Sequence, residues 1–217
     1  DLVKDWSAYF KNYYSDAENN SSSDFGTAPS VKIKSGRIYN NLRLSPDGSK
    51  MVYTVNDAGL YKVMLYDLST QKQKRIFKKG VRLDEKVDYS YPLLAWHPTG
   101  NVLSMINESK GLLFLYMYDM ETLKWTQINL FGFQKILDFA YSPDGRSLVL
   151  SGVQRGQSDI YLYNISSNSY TQLTKDPYND LNPRFLPGTN KIVFSSNRAD
   201  DSLRLDIKKP EWLPGAE

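Results

Sequence analysis

RLSPDGSKMVYT (residues 43–54) decides the fold, because a near copy, YSPDGRSLVLSG, returns at residues 141–152. Both put Pro-Asp-Gly after an apolar lead and before a β-branched, apolar run. Two more units follow the same plan, HPTG around Pro98 and LPGT around Pro187. The turn prolines Pro46, Pro98, Pro143 and Pro187 lie 52, 45 and 44 residues apart. That is the period of a four-stranded propeller blade, and it reads as that and not as a helical solenoid.

Each copy carries the same parts in order. NNLRL, PLLAW, LDFAY and NPRFL lead into the turn. Proline at the second turn position suits a type I turn, with Asp or Thr and then Gly after it. The turn residues singled out are Pro46, Asp47, Gly48, His97, Pro98, Gly100, Pro143, Asp144, Gly145, Pro187 and Gly188. KMVYTV, NVLSMI, SLVLSG and KIVFSS come next, then the Tyr-rich YKVMLYDLST, LFLYMYDMET and DIYLYNISSN. Polar strands KQKRIF, KWTQINL and SYTQLT close the first three copies. Period-two alternation and aromatic enrichment are strand signals, and sixteen Tyr and nine Phe supply them.

The expected fold is therefore all-β: a partial propeller of four-stranded antiparallel blades, three and a half of them over residues 23–217. The fourth copy runs out at KKPEWLPGAE, where Pro210 and Pro214 break regular structure. Residues 1–17 differ in texture. Val3, Trp6, Phe10 and Tyr13 repeat at three and four, which predicts a short amphipathic helix. ENNSSSDFGTAPS (residues 18–30) reads as a linker, with a boundary near Ser22. The opening DLVKDWSAYF has no Met and reads as the middle of a longer chain.

NPRFLPG (residues 182–188) and KIVFSSNR (residues 191–198) resemble the repeat of TolB-type, WD-like propellers, as do QSDIYLY and YTQLT. The likeness covers residues 38–198 and weakens in the second copy, where His97 and Thr99 replace Ser and Asp. The N-terminal segment resembles the closing helix of a peptidase-like domain that precedes such propellers in Bacteroidetes-like bacteria. The resemblance implies a protein or peptide partner and a periplasmic, outer-membrane-associated or secreted setting.

The chemistry-bearing residues are few. No Cys removes thiolate ligands and nucleophiles, and one His cannot build the usual zinc sets. His97 takes a turn position held by Ser in the first and third copies, so it reads as a turn residue and not as a catalytic base. No GxSxG elbow or HExxH is written, and no pattern points to a cofactor or metal. Asn197 to Asp201 lacks the Gly and Glu of a calcium loop and reads as a hairpin tip.

Charge is balanced, 27 basic against 24 acidic side chains, which does not argue for nucleic acid. No apolar run is long enough to span a membrane. QKQKRIFKKGVRLDEK (residues 71–86) is basic. It reads as a lysine-guarded sheet edge, against a competing reading as a surface for an acidic partner or anionic lipid. The expected function is a non-catalytic, protein-binding propeller module of a larger cell-envelope or secreted protein. The alternative is the substrate-gating propeller of a hydrolase, prolyl-oligopeptidase-like or metallopeptidase-linked, with its catalytic domain elsewhere. An open ring also predicts self-association through its bare edges.

Overall fold

The computed structural model describes residues 4–6, 8–9, 31, 33–80 and 88–198. It divides into two units, Asp1–Ser35 and Gly36–Glu217. In the first, the described residues 4–6 and 8–9 are helical. Trp6 and Tyr9 are 65% and 62% exposed. Val3, Phe10 and Tyr13, residues 18–30 with Ser22, and Pro210 and Pro214 lie outside the described residues.

The second unit is all-β. Blade one is β1 (Ile38–Leu44), β2 (Lys50–Asp57), β3 (Leu60–Asp67) and β4 (Lys72–Lys79). Blade two is β5 (Leu93–Trp96), β6 (Val102–Ser109), β7 (Leu112–Asp119) and β8 (Trp125–Asn129). Blade three is β9 (Lys135–Tyr141), β10 (Ser147–Gln154), β11 (Gln157–Asn164) and β12 (Ser169–Gln172). β13 (Asp180–Phe185) and β14 (Ile192–Ser196) form a described half-blade. Every sheet is an antiparallel meander in chain order. The first strands neighbour one another in succession, β1 to β5, β5 to β9 and β9 to β13. That side-by-side arrangement of first strands is the inner ring of a partial propeller.

Two hairpin types build each blade. The first crosses the Pro turn, where the amide of Gly48 donates to the Ser45 carbonyl at 2.9 Å. Gly100 and Gly145 close onto His97 and Ser142 in the same way, at 2.8 and 2.9 Å. The fourth turn departs from the expected type I pattern. Its glycine stands one place earlier, at Gly188, with φ +72°, and Thr189 closes onto Leu186 at 3.1 Å. Positive φ at the third position is the type II requirement, so moving the glycine changed the turn. The second hairpin is a two-residue loop, Ala58-Gly59, Lys110-Gly111 or Arg155-Gly156, with both φ positive in all three blades. That is type I′ geometry, whose twist matches the flanking strands.

Alternation along each strand decides which neighbour a side chain meets. In blade two, Leu94, Trp96, Leu103, Met105, Tyr116 and Tyr118 pack with Val52 and Val63 of blade one. The opposite set, including Ile106, Leu113 and Leu115, packs with Phe139, Leu148, Leu150 and Tyr161 of blade three. Blade two is therefore apolar on both faces. Full burial of each such side chain is worth about 1.5–3 kcal/mol.

Polar latches cross each interface. Asn41 Nδ2 donates to the Pro92 carbonyl at 2.7 Å, and Trp96 Nε1 to the Arg43 carbonyl at 3.3 Å. Tyr91 Oη donates to the Ile136 carbonyl and accepts from its amide, both at 2.9 Å. Ser104 Oγ meets Tyr141 Oη at 2.5 Å. Ser151 Oγ donates to the Asp180 carbonyl at 2.8 Å, and Arg184 pairs with Asp138 at 2.6 Å.

Candidate functional site

The two hairpin types lie at opposite ends of each sheet, because successive strands are antiparallel. Pro46, Asp47, Gly48, His97, Pro98, Gly100, Pro143, Asp144, Gly145, Pro187 and Gly188 all fall in the loops between first and second strands. Asp47 Oδ1 accepts from the Ser45 hydroxyl at 2.5 Å and the Ser49 amide at 3.1 Å. Those bonds hold its carboxyl well below the usual range. Asp144 repeats the arrangement with Ser142 and Arg146, and its carboxyl is lowered too. In blade two His97 Nδ1 accepts from the Thr99 amide at 3.2 Å. Its ring stands edge-on to Tyr141, with centroids 5.0 Å apart, and against Gly145. A Cβ on Gly145 would lie 2.0 Å from His97 Nε2, so glycine is required for this contact.

The opposite end holds a cleft of about 290 Å³ between blades one and two. The β2–β3 loop supplies Gly59, and the end of β4 supplies Lys79 and Gly80. Blade two contributes Asp88, Tyr91, Asn107, Glu108 and Lys110. The wall is tight: a Cβ on Gly80 would lie 2.1 Å from the Gly59 carbonyl oxygen. Residues 81–87, between Gly80 and Asp88, lie outside the described residues, as do Arg82 and Lys86 of the basic run.

Two buried asparagines organise this end. Asn56 Oδ1 accepts from the Gly59 amide at 2.9 Å and shapes the hairpin. Asn107 Nδ2 donates to the Glu108 carbonyl at 2.8 Å and to Tyr61 Oη. Burial pushes the Tyr61 phenol up to about 12, so it stays protonated at neutral pH. Burial likewise raises Tyr91. At Asp88 burial raises the carboxyl, but Lys135 at 2.7 Å and Ser90 outweigh it, and the net direction is down. Lys79 Nζ lies 3.3 Å from Tyr116 Oη.

The cleft thus offers amides, protonated phenols, two lysines and two carboxylates, a set that hydrogen-bonds a polar segment. Among the described residues no group of three His, Asp or Glu is placed to hold a metal. The repeat motifs did not lead to the cleft. Its one sequence signal is Asn56 and Asn107 interrupting otherwise apolar runs, where blade three has Gly152 and Val153 near the same place. Asn197, from the acidic cluster, accepts from the Asn179 amide at 2.7 Å, and residues 199–201 lie outside the described residues.

Four-stranded meanders set side by side by their first strands define this as a β-propeller segment. Residues 80–203, more than half of the chain, match the TolB beta propeller domain. The chain belongs to that family. The uncharacterized protein Atu1656 of Agrobacterium fabrum is 26% identical over 163 residues, 74% of this chain and 52% of that protein. TolB from Acinetobacter baumannii superposes with a TM-score of 0.56 at 19% identity, over 75% of this chain and 42% of that one. The β-propeller domain of the Trilobed protease from Pyrococcus furiosus gives 0.50 at 12% identity, over 76% and 55%. These likenesses establish the fold, and the chain spans about half the length of the curated relative it matches.

Proposed function

We propose that the chain is a non-catalytic protein-docking module of a larger cell-envelope protein, and that the cleft between blades one and two receives a polar segment of the partner. The observation that carries this reading is the cleft itself, about 290 Å³ and lined by hydrogen-bonding groups from two blades. Loops held by a rigid scaffold are the usual place for recognition. At the other end the Asp47 and Asp144 carboxylates accept hydrogen bonds within their own loops.

A photo-crosslinker placed at Glu108 in the full-length parent tests the reading in living cells, with Lys124 at the opposite end as control. Discrete partner adducts from position 108 and none from 124 are expected. Identical adducts from both, or none from either, would overturn it. The competing reading is a gating propeller, and the protease propeller of like fold motivates it. It predicts a GxSxG or HExxH domain in the parent gene beside this segment.

A further inference from the structure

Outer strands β4, β8 and β12 occupy the same place in their blades, yet they differ in charge. β4 reads KQKRIFKK, with five Lys or Arg in eight residues. β8 (WTQIN) and β12 (SYTQ) carry none. Neither of these outer strands carries a charge, so guarding an edge does not require the cations on β4. The imbalance extends to the blade: between Gly36 and Gly80 nine Lys and Arg face three Asp and no Glu. Of those aspartates, Asp57 pairs with Arg37 at 3.1 Å, and Asp67 is held by Ser69 and Thr70 in its own turn.

Register sorts the cations. Lys78 and Arg75 lie opposite Lys62 and Met64 on one face of β3–β4, while Lys72 and Lys74 lie opposite Asp67 and Leu65 on the other. Among the described residues no salt bridge joins Lys62, Lys72, Lys74, Arg75 or Lys78. Burial, then the charges of Arg37, Arg75 and Lys78, press the Lys62 pKa down. No described strand pairs with the far side of β4.

We propose that β4 is a docking edge for an extended acidic peptide segment, which adds to blade one as a fifth strand. This rests on the protein-docking reading above and names the chemistry of a partner. An added strand supplies the amides and carbonyls that the open edge lacks. Cations on both faces place a base beside an acid in either register, where opposite charges favour the pair. A lipid headgroup would meet the charge and leave the strand edge unpaired, which is why a peptide is the better fit.

The test is fluorescence anisotropy of a labelled peptide of alternating Glu and Thr, titrated with the full chain at low salt. Saturable binding is expected, weakened about tenfold by the Lys72→Gln, Lys74→Gln, Arg75→Gln, Lys78→Gln variant and by physiological salt. The same peptide with N-methylated backbone amides tests strand addition on the unaltered protein, and about tenfold loss is expected there too. A Gln127→Ala variant on the uncharged outer strand β8 should bind as the parent does. Equal binding by the quadruple variant or by the N-methylated peptide would overturn the proposal. So would binding of phosphatidylglycerol vesicles with none of the peptide. Such a failure beside an intact Glu108 crosslink would remove the edge and leave the cleft reading standing.

Discussion

Blade two and the half-blade β13–β14 share one sequence plan and differ in what surrounds them. Six residues past each turn proline stand Val52, Ser104, Val149 and Val193. The first three are 0% exposed and Val193 is 50% exposed. One position on, Tyr53, Met105 and Leu150 are at most 5% exposed, against 37% for Phe194. A run such as KIVFSS specifies a strand with two apolar faces, but burial of those faces is a property of the neighbouring blade. Local pattern writes the element, and the stack decides its stability.

That contrast can be broken by deletion. Leu103→Ala, at a 0% exposed site in blade two, should cost about 2–5 kcal/mol in denaturant unfolding. Val193→Ala, half exposed, should stay within about 1 kcal/mol. Equal costs would show that the half-blade is packed as tightly as its neighbours.

Two buried tyrosines sharpen the point. Tyr91 Oη bridges the amide and carbonyl of Ile136, so Tyr91→Phe strands both and should cost about 1–3 kcal/mol. Among the described residues Tyr161 Oη is buried with no hydrogen-bond partner, and its phenol is pushed up to about 12 by burial. Tyr161→Phe should therefore be neutral or stabilising in the same assay.

Turn glycines supply a smaller contrast. Gly145 and Gly48 both have positive φ, at +72° and +69°. A Cβ at Gly145 meets His97, whereas at Gly48 it meets nothing within 4 Å. Gly48→Ala should cost about 1 kcal/mol from backbone strain alone, and Gly145→Ala more, by thermal melts of the two variants.

The smallest effect is one of pH. Asp67 is held to about 2 by the Ser69 hydroxyl and the Thr70 amide and hydroxyl, while Asn164 fills the same role in blade three without titrating. A lowered carboxyl contributes stability that is present above its unfolded value, about 4. That contribution fades as pH falls toward about 2. Asp67→Asn should flatten the acid limb of the stability profile slightly, and an unchanged limb would remove this turn from the account.

Most of the fold was legible because its signals are local. Alternation and turn chemistry placed Lys50, Ser147 and their runs within strands that the structure draws as Lys50–Asp57 and Ser147–Gln154. The turn at Gly188 differs in type from the expected one because a shift of one residue in glycine position looks minor in sequence but changes the sign of φ at the third place. Of the expected amphipathic helix, Trp6 is found 65% exposed, since periodicity names a face without naming what covers it. The cleft was invisible for a related reason. Gly59, Lys79, Asn107 and Glu108 come from separate blades, and no repeat motif records that they meet.

Amide hydrogen exchange resolved by strand, at concentrations where the chain is monomeric, is the most direct test that neighbouring blades confer order on a common pattern. The account predicts slowest exchange in β6 and β10, each flanked on both faces, and markedly faster exchange in β14. Protection of β14 equal to that of β6 would contradict it.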